Sequence, residues 1–191
     1  MLEKFQLKDG KIVQIKILSI ADYNKNDNYA FVHSWLNQIN KFLGKDFEKE
    51  DFKKDYVELC DFFKNKEDNI MIGAIYGDKI IGTARLTLKC KSKKFKHLAN
   101  WGIAINPDFQ NLGLGSRLIQ NVEDISLKKK IFKLEADYYE GNIQAEYVYI
   151  KKLNYIIEGR LKYGILLNDG KFVDKILIGK IIEKNIKDSW T

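Results

Sequence analysis

The sequence predicts an α/β fold of the α+β type, in which a mixed, mostly antiparallel and twisted sheet of about 6–7 strands is flanked by about 4 helices. The hydrophobic pattern changes several times between periods near ~3.6 and ~2, which indicates both helices and strands. Turn signals at 77–78 and 168–170 each separate two apolar runs and indicate β-hairpins. Helices and strands alternate only in the later part of the chain, which argues against a fully parallel sheet. The expected order is β-α-α-β-β-β-α-β-α-β-β.

The first half of the chain supplies a strand, two helices and a hairpin. Weak alternation predicts a strand over 11–18, and apolar residues at helical spacing predict helices over 28–43 and 47–64. Two short apolar runs, 70–76 and 79–88, predict the first hairpin.

The second half begins with a strand over 96–105, which ends before Pro107 because proline cannot continue a strand ladder. The remaining expected elements are a helix of about four turns from Leu114, a strand over 131–138, a helix over 142–153, and hairpin strands over 155–167 and 171–182.

Composition fits one globular domain spanning residues 1–191. Hydrophobic residues make up 45% and charged residues 31%, which is the balance of a folded chain rather than a disordered one. No apolar run reaches the ~20 residues that span a membrane, and the first residues lack a secretory signal core, so we expect a cytoplasmic protein. The two cysteines, Cys60 and Cys90, form no disulfide framework and are expected to be reduced thiols.

The net charge of +7 raises the possibility of a ribosome-associated or nucleic-acid-associated protein. The lysines are scattered, however, and the chain contains no basic motif interleaved with aromatic residues. The sequence therefore gives this alternative little support.

The segment from Gln110 to Ser116 joins the end of a strand to the start of a helix through two glycines. The first amides of a helix have no partners within the helix, and together with the helix dipole they attract anions. Gly113 and Gly115 allow the backbone to approach a ligand closely because they carry no Cβ. The turn therefore predicts a site that holds a diphosphate by main-chain N–H groups.

Three classes of phosphate-binding turn can be compared with this segment. A P-loop requires a Gly-Lys-Ser/Thr ending, which is missing, and a dinucleotide fingerprint requires a third glycine where Leu118 stands. The remaining pattern, Gln/Arg-x-x-Gly-x-Gly/Ala, is met by Gln110, Gly113 and Gly115, and here the chain resembles the GNAT superfamily of N-acetyltransferases. The resemblance extends to the lead-in 101–110 and to a second motif at 142–149, and it covers about residues 70–182.

This resemblance implies a single GNAT-like domain that takes acetyl-CoA as its co-substrate and needs no metal. The backbone before the turn would pair with the pantetheine arm, and the turn would bind the pyrophosphate, with Arg117 a possible further phosphate contact. The implied cofactor-binding residues are Ile103, Ala104, Ile105, Gln110, Asn111, Leu112, Gly113, Leu114, Gly115, Ser116, Asn142 and Tyr149.

Asn142 matches the family asparagine that contacts the cofactor arm, although an asparagine here could also cap a helix. Tyr149 matches the tyrosine that supplies a proton or hydrogen bond to the departing thiolate. Counting from Asn142 gives Tyr149 this role, whereas counting back from Leu153-Asn154-Tyr155 gives it to Ile150, so one residue is extra. Asn154 also replaces a family glycine, and asparagine tolerates the left-handed backbone.

A protonated amine, with a pKa near ~10.4 for lysine, must lose a proton before it can attack a thioester. Glu135 is the first candidate for this base, with Asp137, His97 and Asp174 as further ones. No metal-ligand spacing occurs, and His33 is expected to be an isolated histidine.

The favoured function is transfer of an acetyl group to a primary amine of a small molecule or peptide. The alternatives are a non-catalytic CoA-binding module that senses or docks, and the basic ribosome or nucleic-acid protein considered above. Acidic residues before and within the second helix hint at a cationic acceptor, and the final hairpin could pair across a homodimer. These acidic residues are Asp46, Glu48, Glu50, Asp51 and Asp55.

Overall fold

The computed structural model describes residues 2–43, 47, 49–89 and 93–182, so that Cys90, Asp46 and Glu48 lie outside the described residues. The strands are β1 (Leu2–Gln6), β2 (Ile12–Ile17), β3 (Asn69–Tyr76), β4 (Lys79–Leu88), β5 (Leu98–Ile105), β6 (Lys133–Tyr139), β7 (Ile156–Leu166) and β8 (Phe172–Ile181). The α-helices are α1 (Ile20–Asn24), α2 (Asn28–Gln38), α3 (Phe52–Lys64), α4 (Leu114–Lys128) and α5 (Ile143–Glu146).

These strands form one sheet in the order β1-β2-β3-β4-β5-β6-β8-β7. Every neighbouring pair is antiparallel except β5 and β6, which confirms the prediction of a mixed, mostly antiparallel sheet. The described residues contain eight strands rather than about 6–7, because β1 was not predicted. Its five residues are mostly charged or polar and carry one aromatic side chain, Phe5, toward the core, so the sequence signal was weak.

Helices cover both faces of the sheet, and strand alternation assigns each side chain to one of them. Ala84 and Leu86 of β4 join the core cluster beneath α4, where Leu118 is fully buried. A second cluster lies beneath α2 on the opposite face and contains Trp35 and Met71. The residues of β4 that alternate with Ala84 and Leu86 therefore point toward α2 and α3.

The helices differ from the prediction at their ends. The short α1 was not predicted, and α3 begins at Phe52 because a 3-10 turn occupies Lys49–Asp51. The helix expected over 142–153 consists of α5 followed by a π-helical segment, Tyr147–Lys152. Within it the Leu153 amide donates to the Val148 carbonyl at 3.0 Å, which is the five-residue spacing of a π-helix. This segment accommodates the residue that appeared extra in the sequence.

We expect Leu118→Ala to destabilise the fold by about 2–5 kcal/mol, because it removes buried methyl groups and leaves a cavity. Leu118 is 0% exposed, whereas Leu127 on the same helix is 42% exposed. Leu127→Ala is therefore the matched control and should change the free energy of unfolding much less. Urea denaturation of both variants measures the difference, and equal effects would contradict the assigned burial of α4.

Candidate functional site

The neighbouring strands β5 and β6 pair over only three positions before they diverge. The register joins Leu98 to Lys133, Ala99 to Leu134 and Asn100 to Glu135, and no described pairing follows. On its other edge β5 continues to pair with β4 as far as Ile105. The edge of β5 that faces β6 is therefore open from Trp101 to Ile105 within the described residues.

Aromatic rings pack together next to the position where β5 and β6 diverge. Trp101 of β5 contacts the ring of Tyr149 edge-on, with 5.0 Å between centroids. Tyr138 of β6 lies 6.0 Å from Tyr149 in the same manner, and Tyr155 lies 5.3 Å from Trp101. The π-helical segment thus packs Tyr149 against both strands, next to the position where their pairing ends.

The glycine turn follows directly from the open strand edge. Asn111 and Gly113 both have positive φ, at 60° and 89°, which explains the need for glycine at the second position. In the described part of the chain, none of the six amides from Asn111 to Ser116 donates to a backbone carbonyl. The Gln110 side chain donates from Nε2 to the Ile105 carbonyl at 3.1 Å and fixes the turn to the end of β5.

A cleft of about 1010 Å³ contains most of the predicted cofactor-binding residues. Leu112 and Leu114 do not line it, because their side chains pack in the core. These two residues therefore contribute only their backbone to the turn. The predicted residues that line the cleft are Ile103, Ala104, Ile105, Gln110, Asn111, Gly113, Gly115, Ser116, Asn142 and Tyr149.

Asn142 both caps a helix and lines the cleft. Its side-chain oxygen accepts from the Ala145 amide at 3.1 Å at the N-terminus of α5. This leaves the Asn142 amide nitrogen as the group that could contact a ligand. The two roles considered for this residue from the sequence are therefore compatible.

The π-helical segment gives Tyr149 and Ile150 different surroundings. Tyr149 lines the cleft, whereas Ile150 packs against the core and is not among the described residues of the lining. Burial, with a smaller contribution from the charge of Asp137, raises the pKa of the Tyr149 phenol well above its usual range. The hydroxyl is therefore protonated at neutral pH and can donate. Asn154 has a φ of 59°, the left-handed backbone expected where the family has glycine.

Glu135 lies outside the cleft, in an ion-pair network. Its carboxylate accepts from Lys89 at 2.8 Å and lies 3.5 Å from Lys133, which also pairs with Glu158. Partial burial alone would raise the pKa of Glu135, but these lysines outweigh it and lower the pKa. Glu135 is also not among the described residues that line the cleft, so the structure does not bring it to the other predicted site residues.

The other charged residues that the sequence suggested as a base or a phosphate contact lie in different surroundings. Asp137 lines the cleft and pairs with Lys175 at 3.1 Å. The Arg160 guanidinium, which donates to Asp174 at 2.8 Å, lowers the pKa of that carboxyl. His97 is not among the described residues of the lining.

The guanidinium of Arg117 is bound by the Glu3 carboxylate of β1, with an Nε–Oε1 distance of 2.9 Å, and is therefore not a free phosphate ligand.

The sequence reasoning missed one pair of polar residues. His33 of α2 and Asp55 of α3 meet across the helix interface at 3.1 Å, and both line the cleft. His33 was expected to be isolated, because 22 positions separate the two residues and nothing local relates them. Only the packing of α2 against α3 brings them together.

Two classes of feature are missing from the described residues. Within 2–43, 47, 49–89 and 93–182, there is no cluster of three or more His, Cys, Asp or Glu side chains suited to a metal ion. No helix in the same ranges is long and apolar enough to cross a membrane.

Solved structures with the same fold come from several bacteria. A GNAT-family acetyltransferase from Streptococcus pneumoniae is 23% identical, with a TM-score of 0.70, and the alignment covers 90% of this chain and 99% of that one. The ribosomal-protein-S5-alanine acetyltransferase from Vibrio fischeri is 21% identical over 100% of this chain and 99% of its own, with a TM-score of 0.73. A Salmonella typhimurium protein with its cofactor acetyl-CoA is 12% identical, with coverages of 94% and 99% and a TM-score of 0.73. At these identities the likeness establishes the fold.

A comparison with curated proteins gave no match. Residues 36–155, more than half of the chain, match the family described as Acetyltransferase (GNAT) family. The chain therefore belongs to the GNAT acetyltransferase family, which confirms the prediction of an acyltransferase that uses acetyl-CoA.

Proposed function

We propose that residues 1–191 act as a single domain that transfers an acetyl group from acetyl-CoA directly to a primary amine of a small molecule or peptide. The observation that carries this proposal is the continuity of two unsatisfied backbone surfaces. The open edge of β5 ends at Ile105, and the unpaired amides begin six residues later at Asn111. Such a surface suits an extended amide-containing arm that ends in a diphosphate.

The open strand edge is proposed to bind the pantetheine arm. The backbone of Ile103, Ala104 and Ile105 supplies the hydrogen-bonding groups that β6 would otherwise satisfy. Asn142 lines the same cleft, with its amide nitrogen available to an arm carbonyl. The arm would therefore replace a strand in the sheet.

The turn from Asn111 to Ser116 is proposed to bind the pyrophosphate through main-chain amides. The α4 dipole adds to this attraction because the turn lies at the helix N-terminus. Lys8 replaces Arg117 as the nearby cation in this proposal. The Lys8 amide donates to the Leu112 carbonyl at 3.2 Å, and Lys8 lines the cleft.

Tyr149 is proposed to stabilise the departing thiolate. Its phenol is protonated, and its ring contacts Trp101, the residue at which the open strand edge begins. Donation of a hydrogen bond or a proton to sulfur lowers the barrier to breaking the C–S bond. The role needs a donor in a partly dry site, which the burial of the ring provides.

The acceptor amine is proposed to enter the other half of the cleft, between α2, α3 and β4. Acidic and basic groups both line this half, including Asp55, Glu58 and Arg85. The Arg85 guanidinium lies over the ring of Phe62, 5.4 Å from its centroid. A carboxylate close to the acceptor amine could pair with Arg85, so the acceptor panel should contain amino acids and their amides as matched pairs.

We expect thiol release from acetyl-CoA when the protein is mixed with a panel of primary amines, amino acids and peptides with free N-termini. The assay measures free thiol, and mass spectrometry of the product confirms acetylation of the amine. Tight acetyl-CoA binding without release for any amine would contradict the enzymatic proposal and favour a non-catalytic CoA-binding module. Salt-sensitive RNA binding without acetyl-CoA binding would favour the basic-protein alternative.

We expect Gly113→Glu to weaken acetyl-CoA binding by at least ~100-fold, or about 2.7 kcal/mol, because it places a carboxylate among the amides proposed for the pyrophosphate. Isothermal titration measures the effect. Gly170→Glu is the matched control: Gly170 also has a positive φ, 80° against 89° for Gly113, and neither has an atom within 4 Å of an added Cβ. Both variants therefore carry similar backbone strain. Equal affinity in the two variants would contradict the proposed pyrophosphate site.

We expect Tyr149→Phe to lower kcat by about 10²-fold while acetyl-CoA affinity stays within a few-fold, because only the hydroxyl donor is lost. Tyr163→Phe is the control, since Tyr163 is 73% exposed and is not among the described residues that line the cleft. Steady-state thiol release gives kcat for each variant. An unchanged kcat in Tyr149→Phe would show that another donor serves the thiolate.

A further inference from the structure

The part of the cleft lined by α2 and α3 contains a buried histidine–aspartate pair. The Nε2 atom of His33 lies 3.1 Å from the Oδ2 atom of Asp55, and the two side chains are only 6% and 3% exposed. Both residues nevertheless line the cleft. A polar pair that is buried from bulk solvent but reaches a cavity is suited to act on a ligand in that cavity.

Aromatic rings surround the imidazole and fix its position. The ring centroids of Phe52, Phe47 and Tyr29 lie 5.1, 5.7 and 6.0 Å from that of His33. The Tyr29 hydroxyl donates to the Phe52 carbonyl at 2.7 Å, so its proton is directed away from the imidazole. The apolar surroundings strengthen the contact between His33 and Asp55 because little water competes for it.

The Asp55 contact determines which imidazole nitrogen can accept a proton. We assign the hydrogen of this contact to Nε2 of His33, because a carboxylate oxygen accepts the bond. The neutral ring then has its lone pair on Nδ1, which has no hydrogen-bond partner within the part of the chain that the structure describes. A carboxylate that orients a histidine base in this way is a recurring arrangement in enzymes that move protons.

We propose that His33 is the proton acceptor for the acceptor amine and that Asp55 is its positioning residue; this rests on the proposed N-acetyltransferase function. Nδ1 of His33 takes one proton from the ammonium group, directly or through one water, and later releases it to solvent. The freed lone pair of the amine nitrogen forms the C–N bond with the thioester carbonyl carbon, and the C–S bond breaks. As the amide forms, the nitrogen loses a second proton. This proton returns to Tyr149 and replaces the one that Tyr149 donates to sulfur.

The other titratable or charged groups in this part of the cleft are Tyr23, Tyr29, Lys41, Glu58 and Arg85. Burial is the main reason that the pKa values of Tyr23 and Tyr29 are far above their usual range, and nearby carboxylates add to it. Both phenols therefore stay protonated and neutral over the pH range in which the amine changes charge.

The decisive variant is Asp55→Asn. The asparagine amide would donate to Nε2 and leave the ring hydrogen on Nδ1, so that the side chain keeps its place but loses its free lone pair. We expect kcat/KM near neutral pH to fall by about 10²–10⁴-fold, with acetyl-CoA affinity unchanged. The loss should shrink as pH rises toward ~10, because the amine then loses its proton without help. Asp61→Asn is the control on the same helix, since Asp61 pairs only with Lys64 on the surface in the described residues.

A measurement on the wild-type protein tests the same arrangement without turnover. A long-range ¹H–¹⁵N NMR spectrum distinguishes the two neutral imidazole tautomers, and we expect the Nε2–H form for His33 and the Nδ1–H form in Asp55→Asn. The Nδ1–H form in the wild type would overturn the proposal even if the variant failed to fold. So would a loss of activity that is independent of pH, as a merely structural contact between α2 and α3 would give. Failure of the wild type to release thiol with any amine would instead contradict the proposed function itself.

Discussion

The separation of β5 from β6 after Asn100 is the constraint on which the rest of the site depends. Two strands that remained paired would satisfy each other's backbone groups, and no surface would be left for an extended ligand. Here the pairing ends after three positions, and the ring of Tyr149 packs against Trp101 of β5 and Tyr138 of β6. Because β4 holds the other edge of β5 as far as Ile105, the residues of the open edge remain part of the sheet.

The π-helical segment Tyr147–Lys152 determines which side chain packs against the two strands there. One residue more or less in a helix rotates every later side chain by about 100°. A regular α-helix with the extra residue could therefore not direct Asn142 to the cleft and Leu153 to the core at the same time. The wider π turn absorbs the extra residue, and Tyr149 faces the cleft while Ile150 packs against the core. The ambiguity in counting residues along the sequence therefore has a physical origin in the helix geometry.

Features set by neighbouring residues could be predicted from the sequence, and features set by distant residues could not. The glycine turn, the hairpins and α4 follow from local spacing. Glu135 was a reasonable candidate by strand alternation, but its ion pair with Lys89 joins residues 46 positions apart and directs its carboxylate away from the predicted site. The contact between His33 and Asp55 likewise depends on how α2 packs against α3.

This difference separates the two halves of the cleft. The half proposed for acetyl-CoA is built mainly from backbone groups, to which the side chains of Asn142 and Tyr149 are added. The half proposed for the amine is built from side chains of α2, α3 and β4, which packing brings together. A substitution in the buried interface between α2 and α3 would therefore move His33 relative to the open edge of β5 without altering the amides of the turn. Choice of amine can thus change through helix packing while the proposed cofactor site stays as it is.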